Sequence, residues 1–308
     1  MHILITGGAG FIGSNLAAHA LNSGHEVSIV DDLSTGTLNN LKGLDTKNHI
    51  GNINDSALMS RALKKVDSVV HLAALGSVPR SIQNPMATHL ANATGTLAVL
   101  EASRNSDVEH VSCASSSSVY GMNPALPKNE REWVRPMSPY GVTKLATEQY
   151  TLAYQQSFGM KSTAFRFFNV FGPGQAAGHT YAAVIPVFLD ALLKGQPIPI
   201  NGDGLHSRDF TFVGSVCEVL LASAETRTNY AEPINLAFGT NTTLLELVSC
   251  LEDVTKLKAE ILYREERAGD VRHSQADNTT LMSLFPDLEA VALQEGIAKT
   301  YAWFKDQI

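Results

Sequence analysis

A tyrosine and a lysine one helical turn apart, Tyr140 and Lys144, close a stretch (residues 112–144) that also holds the serine run Ser115-Ser116-Ser117-Ser118-Val119-Tyr120-Gly121. A free phenol has a pKa of about 10, and a neighbouring cation favours the phenolate, so such a pair can act as a base near neutral pH. Ser138 is a good helix N-cap and Pro139 suits the first helical position, which sets Tyr140 and Lys144 on one face of that helix. The serines follow a strand-like stretch, His110-Val111-Ser112-Cys113-Ala114, and can bring a hydroxyl to the same point. The Tyr/Lys spacing alone is common on exposed helix faces. Its surroundings decide what it means.

Those surroundings begin at the amino terminus. Residues 2–6 read as a buried strand running straight into Gly7-Gly8-Ala9-Gly10-Phe11-Ile12-Gly13, then into a helical pattern ending near Gly24. A second strand, residues 26–30, ends at Asp31. Glycines at 7, 10 and 13 permit a tight turn, a close backbone approach to a pyrophosphate, and close helix–strand packing. The helix N-terminus adds orphan N–H groups and a positive dipole end. Asp31, the acid expected about 20 residues on, suits ribose hydroxyls and repels a 2′-phosphate, which favours NAD over NADP. Strand–helix alternation continues through residues 66–72, a long helical run at 85–104, the strand before the serines, the Tyr140 helix, and a strand near 162–166. This indicates an α/β fold, a doubly wound parallel (Rossmann) sheet. Ligands in such sheets sit beyond the carboxyl ends of the strands, where residues 7–13, Asp31, Leu72-Ala73-Ala74, Ser115–Ser118 and 167–169 all fall.

Composition narrows the class. The 308 residues suggest about two domains, and 44% hydrophobic with 17% charged content is ordinary for a globular protein. A net charge of −7 argues against nucleic-acid or anionic-membrane partners. No apolar run approaches the ~20 residues of a membrane span, and no signal peptide is read at the start. Cys113, Cys217 and Cys250 lie far apart with no metal-ligand spacing, as expected of buried free thiols in a reducing cytosol.

After Gly172-Pro173-Gly174-Gln175 glycine and proline become frequent and short extended pieces alternate with helices. Residues 1–172 are therefore read as the cofactor domain. Residues 173–308 are read as a smaller α/β substrate-binding lobe, part of which returns to the sheet. Thr243 and Glu246 form a capping box opening a helix to about Lys256. Arg208 and Arg267 sit beside glycine-containing turns, and a pair of arginines can clamp a diphosphate.

These motifs together make the chain resemble an extended short-chain dehydrogenase/reductase, specifically the UDP-glucose/UDP-N-acetylglucosamine 4-epimerase family. The resemblance extends over the whole chain through Gly7-x-x-Gly10-x-x-Gly13, Asp31-Asp32-Leu33-Ser34-Thr35-Gly36, His71-Leu72-Ala73-Ala74, the serine run, Tyr140-x-x-x-Lys144, Arg166-Phe167-Phe168-Asn169-Val170-Phe171-Gly172-Pro173, Ala183-Val184-Ile185-Pro186, Gly202-Asp203-Gly204 and Ser207-Arg208-Asp209-Phe210. It implies Ser116, Tyr140 and Lys144 as the catalytic set. NAD would be held by the glycine loop with Phe11 and Ile12, by Asp31, Asp32, Ser34, Thr35 and Gly36, and by Asn52 and Ile53 at the adenine. Leu72, Ala73, Ala74, Asn92, Ser115 and Phe167 would complete that site, with Lys144 on the nicotinamide ribose. Asn52 departs from the family's usual Asp. For the substrate it implies Ser77 and Ser117 at the sugar, Asn169 at the diphosphate or sugar, Ala183 and Val184, Ile198 and Ile200 at the uridine, Arg208 and Arg267 at the phosphates, and Asp270 at the uridine ribose.

The implied reaction is NAD-mediated oxidation at C4, rotation of the 4-keto sugar and re-reduction. Related 4,6-dehydratases carry Asp-Glu after the catalytic Thr, and UDP-glucuronate decarboxylases keep the Glu; Ser117 and Ser118 stand there instead. A UDP-glucuronate 4-epimerase and a non-catalytic NAD-binding regulator are the other readings. Ser274 stands where glucose-only epimerases have a bulky Tyr. With Gly76-Ser77-Val78-Pro79-Arg80-Ser81, it points to UDP-GlcNAc/UDP-GalNAc, with UDP-Glc/UDP-Gal also accepted. The resemblance further implies a cytoplasmic homodimer joined through residues 85–104 and 140–158.

Overall fold

In the computed structural model, residues 1–177, 183–266 and 271–306 are described; the expected substrate residues Arg267 and Asp270 lie outside them. Seven parallel strands form the central sheet: β1 (His2–Thr6), β2 (Glu26–Asp31), β3 (Thr46–Ile50), β4 (Ser68–His71), β5 (His110–Ser116), β6 (Ser162–Phe167) and β7 (Ile234–Leu236). Their order is β7-β6-β5-β4-β1-β2-β3, with the chain reversing direction of travel between β1 and β4, the switch point where such sheets bind ligands. Every residue of β5 and β6 is buried, as expected of strands covered on both faces.

The period-2 alternation of β1 explains the two layers. Ile3 and Ile5 join one core with Leu16, Phe165, Val216 and Leu220, beneath the helices Phe11–Asn22 and Val213–Thr226. Leu4 faces the other, with Met59, Val69, Leu100 and Val111, beneath Ser56–Ala62, Gly95–Arg104 and Pro139–Phe158. The long helix expected over 85–104 is instead Pro85–His89, a π turn at Leu90–Thr94, and Gly95–Arg104. Strand β3 was not foreseen, because Thr46-Lys47-Asn48-His49-Ile50 lies at the sheet edge and has little apolar content.

In the C-terminal half, β7 completes the sheet while the remaining elements build a flanking layer. Ile198–Asn201 pairs in parallel with Ile261–Arg264, and Ser207–Arg208 pairs antiparallel with Thr242–Thr243. The capping box forms as read: Glu246 N–H donates to Thr243 Oγ1 at 3.2 Å and Thr243 N–H to Glu246 Oε2 at 2.8 Å, opening the Leu244–Thr255 helix. Among the described residues no helix is long and apolar enough to cross a membrane.

Candidate active site

The carboxyl ends of β1, β2, β4, β5 and β6 open on a cleft of about 590 Å³. Its floor is the glycine loop. Gly7 has φ +72°, and a Cβ there would lie 2.7 Å from Ala73 N. At Gly13 a Cβ would lie 2.3 Å from Gly7 O, so this turn closes only with glycine. Gly10 caps the Phe11–Asn22 helix without a side-chain bond, and the first turn holds no acid, which leaves the positive helix end to the cleft.

Asp31 sits at the end of β2 with its carboxylate turned toward the loop. Its Oδ2 accepts from Ala9 N–H at 2.9 Å and its Oδ1 from Leu33 N–H at 2.8 Å. It therefore braces the loop with one lone pair of each oxygen and keeps the others for a ligand. Asp32, exposed on the same wall, accepts from Ser34 N–H at 3.0 Å and from Asn52 Nδ2 at 3.2 Å, so the unexpected Asn52 is used as a donor.

Most residues expected at the cofactor line the cleft: Gly7, Gly10, Phe11, Ile12, Gly13, Asp31, Asp32, Ser34, Thr35, Asn52, Ile53, Leu72, Ala73, Ala74, Ser115, Tyr140, Lys144 and Phe167. Gly36 and Asn92 do not. A Cβ on Gly36 would meet Ala9 C at 2.7 Å, so it packs beneath the loop. Asn92 is buried with both ends of its amide used: Leu75 N–H donates to Oδ1 at 2.8 Å, and Nδ2 donates to Leu75 O and Thr143 Oγ1. It holds the Leu75 wall from behind.

At the catalytic corner Lys144 is buried, and its Nζ donates to Ala114 O at 2.7 Å. Burial lowers its ammonium to about 8. Burial raises the Tyr140 phenol above its ordinary value, and a hydrogen bond with Ser116 draws it back only in part. The lowering of the phenol expected from Lys144 is not found, since the ammonium is turned to a backbone carbonyl. Ser116 Oγ donates to Ser118 Oγ and accepts from Ser118 N–H, both at 3.1 Å. Behind this corner Ser115 Oγ donates to Glu148 Oε2 at 3.1 Å, and Glu148 holds Arg166 through two 2.8 Å bonds. A phenol, a serine hydroxyl and an ammonium on one wall can bind an alcohol oxygen and move its proton.

The residues expected at the substrate scatter more widely. Ser116 and Tyr140 are on the cleft wall; Ser77, Ser117, Asn169, Ala183, Val184, Arg208 and Ser274 are not. Ile198 and Ile200 are not on that wall either. Both are fully buried in the core, because alternation along Ile198–Asn201 turns the isoleucines inward and leaves Pro199 and Asn201 on the other face. Ser77 has φ +105°, strained for a non-glycine residue, and its Oγ accepts from Arg80 N–H.

Arg208 and Ser274 do come together. Arg208 donates to Ser207 O at 2.9 Å and to Arg272 O at 3.3 Å, and Ser274 N–H donates to Ser207 O at 3.1 Å. Beneath them buried Asp209 accepts from Gly239 N–H, Thr240 Oγ1 and Ala276 N–H. Sequence reasoning missed Gln175, which lines the cleft with a buried Oε1 that has no partner among the described residues. Its place just after Gly172-Pro173-Gly174 was the available signal.

The glycine cradle, the helix end, the remaining lone pairs of Asp31 and the orphan Gln175 acceptor fit a dinucleotide. Comparison with known proteins agrees. The NAD dependent epimerase/dehydratase family matches residues 3–237. The UDP-glucose 4-epimerase of Mycolicibacterium smegmatis is 35% identical, with 100% of this chain and 99% of that one covered. The structure of UDP-N-acetylglucosamine 4-epimerase from Methanobrevibacter ruminantium M1, in complex with UDP-N-acetylmuramic acid, superposes with a TM-score of 0.95 at 36% identity, covering 100% and 99% of the two chains. That of UDP-glucose 4-epimerase from Thermotoga maritima with UDP-glucose gives 0.93 at 34% identity, again covering 100% and 99%. A family match over most of the chain, with relatives a third identical along their whole length, makes this chain a member of the NAD dependent epimerase/dehydratase family.

Proposed function

We propose that this NAD-dependent epimerase interconverts UDP-sugars at C4, with UDP-GlcNAc/UDP-GalNAc as the preferred pair and UDP-Glc/UDP-Gal also accepted. The observation that carries the reading is the Ser116–Tyr140–Lys144 corner on the cleft wall, with serines and no carboxylate at 117 and 118. An elimination or decarboxylation would call for an acid/base group there.

NAD, when bound, accepts a hydride from the sugar carbon and returns it. The glycine loop and helix end would hold its pyrophosphate, Asp31 a ribose, and Lys144 the nicotinamide ribose. Tyr140 takes the proton of the 4-hydroxyl and later gives it back to the same oxygen, while Ser116 hydrogen-bonds that oxygen. Arg208 anchors the diphosphate, so the keto sugar can turn its other face while the nucleotide stays fixed. Interconversion of the C4 epimers when a UDP-sugar is added to the purified holoenzyme tests this reading; no conversion of any UDP-sugar, with or without added NAD, would favour a non-catalytic binder.

Ser274 supports the acetamido preference, since its small side chain follows directly on the Arg208 ledge. Ser274→Tyr is expected to abolish conversion of the N-acetylated pair while retaining that of UDP-Glc and UDP-Gal, as followed by NMR. Equal loss on both pairs would remove Ser274 from the specificity argument.

A homodimer is also proposed. Ile82, Met86, Leu90, Val142 and Tyr150 are exposed apolar side chains on the helical segments spanning 78–94 and 139–158, and a second copy covers them. Light scattering is expected to give twice the chain mass, and Met86→Glu with Val142→Glu to give the monomer; a wild-type monomer would contradict it.

A further inference from the structure

The serine turn that carries Ser116 is not held by the cleft itself. Ser116 caps the short turn Ser117–Val119, and the residue closing that turn is Tyr120, whose side chain points away into the protein and is almost fully buried. The Arg166 guanidinium lies 4.7 Å from the Tyr120 ring centroid, and Phe168 packs at 6.4 Å. The Tyr120 hydroxyl donates to Asn235 Oδ1 at 2.7 Å. Asn235 lies on β7 directly opposite Arg166 of β6.

The direction of that bond is fixed. Asn235 Nδ2 donates to Lys128 O at 2.8 Å and to Asp277 O at 3.0 Å, so Oδ1 is the end facing Tyr120 and the phenol must donate. Burial pushes the Tyr120 phenol up to about 12, so it keeps its proton at any working pH. Lys128 in turn is bonded through its backbone to Gln275 O and Asp277 N–H, each at 2.8 Å. Residues 275–277 follow immediately on Ser274, whose N–H is held by Ser207 O beside Arg208.

One hydroxyl therefore joins two separately built pieces. On one side is the turn presenting Ser116 to Tyr140. On the other is the ledge of Ser207, Arg208 and Ser274. Neither piece needs the Tyr120 side chain for its own hydrogen bonds: the turn is closed by the Tyr120 backbone N–H to Ser117 O, and the ledge by bonds among Ser207, Arg208, Arg272 and Ser274. We infer that Tyr120 is a positioning residue: its bond to Asn235 sets the spacing between the acid–base corner and the nucleotide-anchoring ledge, and so the place where the sugar C4 oxygen falls relative to Tyr140. This rests on the proposed epimerase reading for its functional meaning. The joint itself is a property of the fold.

Tyr120→Phe removes only the hydroxyl and keeps the ring beneath Arg166. Turnover is expected to fall about tenfold, within the roughly 100-fold that a misplacement of about 1 Å can cost. Affinity for UDP by calorimetry and retention of NAD are expected to stay unchanged, since both sites keep their own contacts. The UDP-linked 4-keto sugar, anchored as before but misplaced at C4, is expected to wait longer for the return hydride. Some of it leaves, the hydride remains on the nicotinamide, and reduced-nicotinamide absorbance builds up over successive turnovers. Simple loss of fold support would lower turnover and Tm together without that build-up, and this outcome, or unchanged turnover, would overturn the inference. Amide hydrogen exchange reads the joint without any activity. Faster exchange at both residues 116–120 and 275–277 in Tyr120→Phe is expected, and a change confined to residue 120 and its neighbours would overturn it. A wild-type protein inactive on every UDP-sugar would instead overturn the epimerase reading, and the exchange result would still decide the joint.

Discussion

Tyr140→Phe lowers turnover by about 10²- to 10⁴-fold, the range typical of losing a positioned acid/base group, while the fold and bound NAD are retained. The substitution deletes the hydroxyl that meets Ser116 and leaves the half-buried ring in place. With the phenol above its ordinary value and the Lys144 ammonium at about 8, the pair near neutral pH is phenol plus ammonium, not phenolate. Raising the pH through about 8 neutralises Lys144 before Tyr140 ionises, so the cationic partner is lost first on the alkaline side. Turnover of the purified variant, measured beside its NAD content after desalting, checks this. Near-normal turnover would remove Tyr140 from the chemistry.

The largest expected effect on stability is at Glu148. Its carboxylate and the Arg166 guanidinium are both buried, with side chains 1% and 3% exposed, and joined at 2.8 Å. Burial alone would lower the guanidinium, and Glu148 overrides it. Glu148→Ala leaves that cation without its paired carboxylate and removes one of the two acceptors of Ser115, whose other is Lys144 O. A loss of about 3–5 kcal/mol is expected, because breaking one side of a buried pair strands the other. Replacing both partners with apolar residues of similar size is expected to recover most of that loss. Thermal or denaturant unfolding of the single and double variants checks both statements. A single variant within error of wild type would mean that water reaches Arg166.

Local patterns in the chain were readable from sequence wherever one short segment makes the feature. The glycine turn, Asp31, the capped Tyr140 helix and the Thr243/Glu246 capping box each depend on residues within a few positions, and each forms in the structure. What is not legible locally depends on facing or on distance. Ile198 and Ile200 stand in the segment expected at the uridine, and the alternation of the strand turns their side chains into the core. Asn92, expected at the cofactor, directs its amide from the π turn to Leu75 and Thr143. Strand β3 is short and polar at a sheet edge, so neither alternation nor a hydrophobic run announced it. The Tyr120–Asn235 bond joins residues far apart in the chain, and no spacing rule reaches that far.

The most direct test of the central claim is conversion of UDP-Glc, UDP-Gal, UDP-GlcNAc and UDP-GalNAc, each incubated with the purified protein without added NAD and followed to equilibrium by NMR. The expected result is that UDP-GlcNAc and UDP-GalNAc approach the same mixture from either side, faster than the non-acetylated pair. Conversion of the non-acetylated pair alone would keep the reaction and contradict the acetamido preference. No conversion of any of the four, with or without NAD, would contradict the epimerase assignment itself.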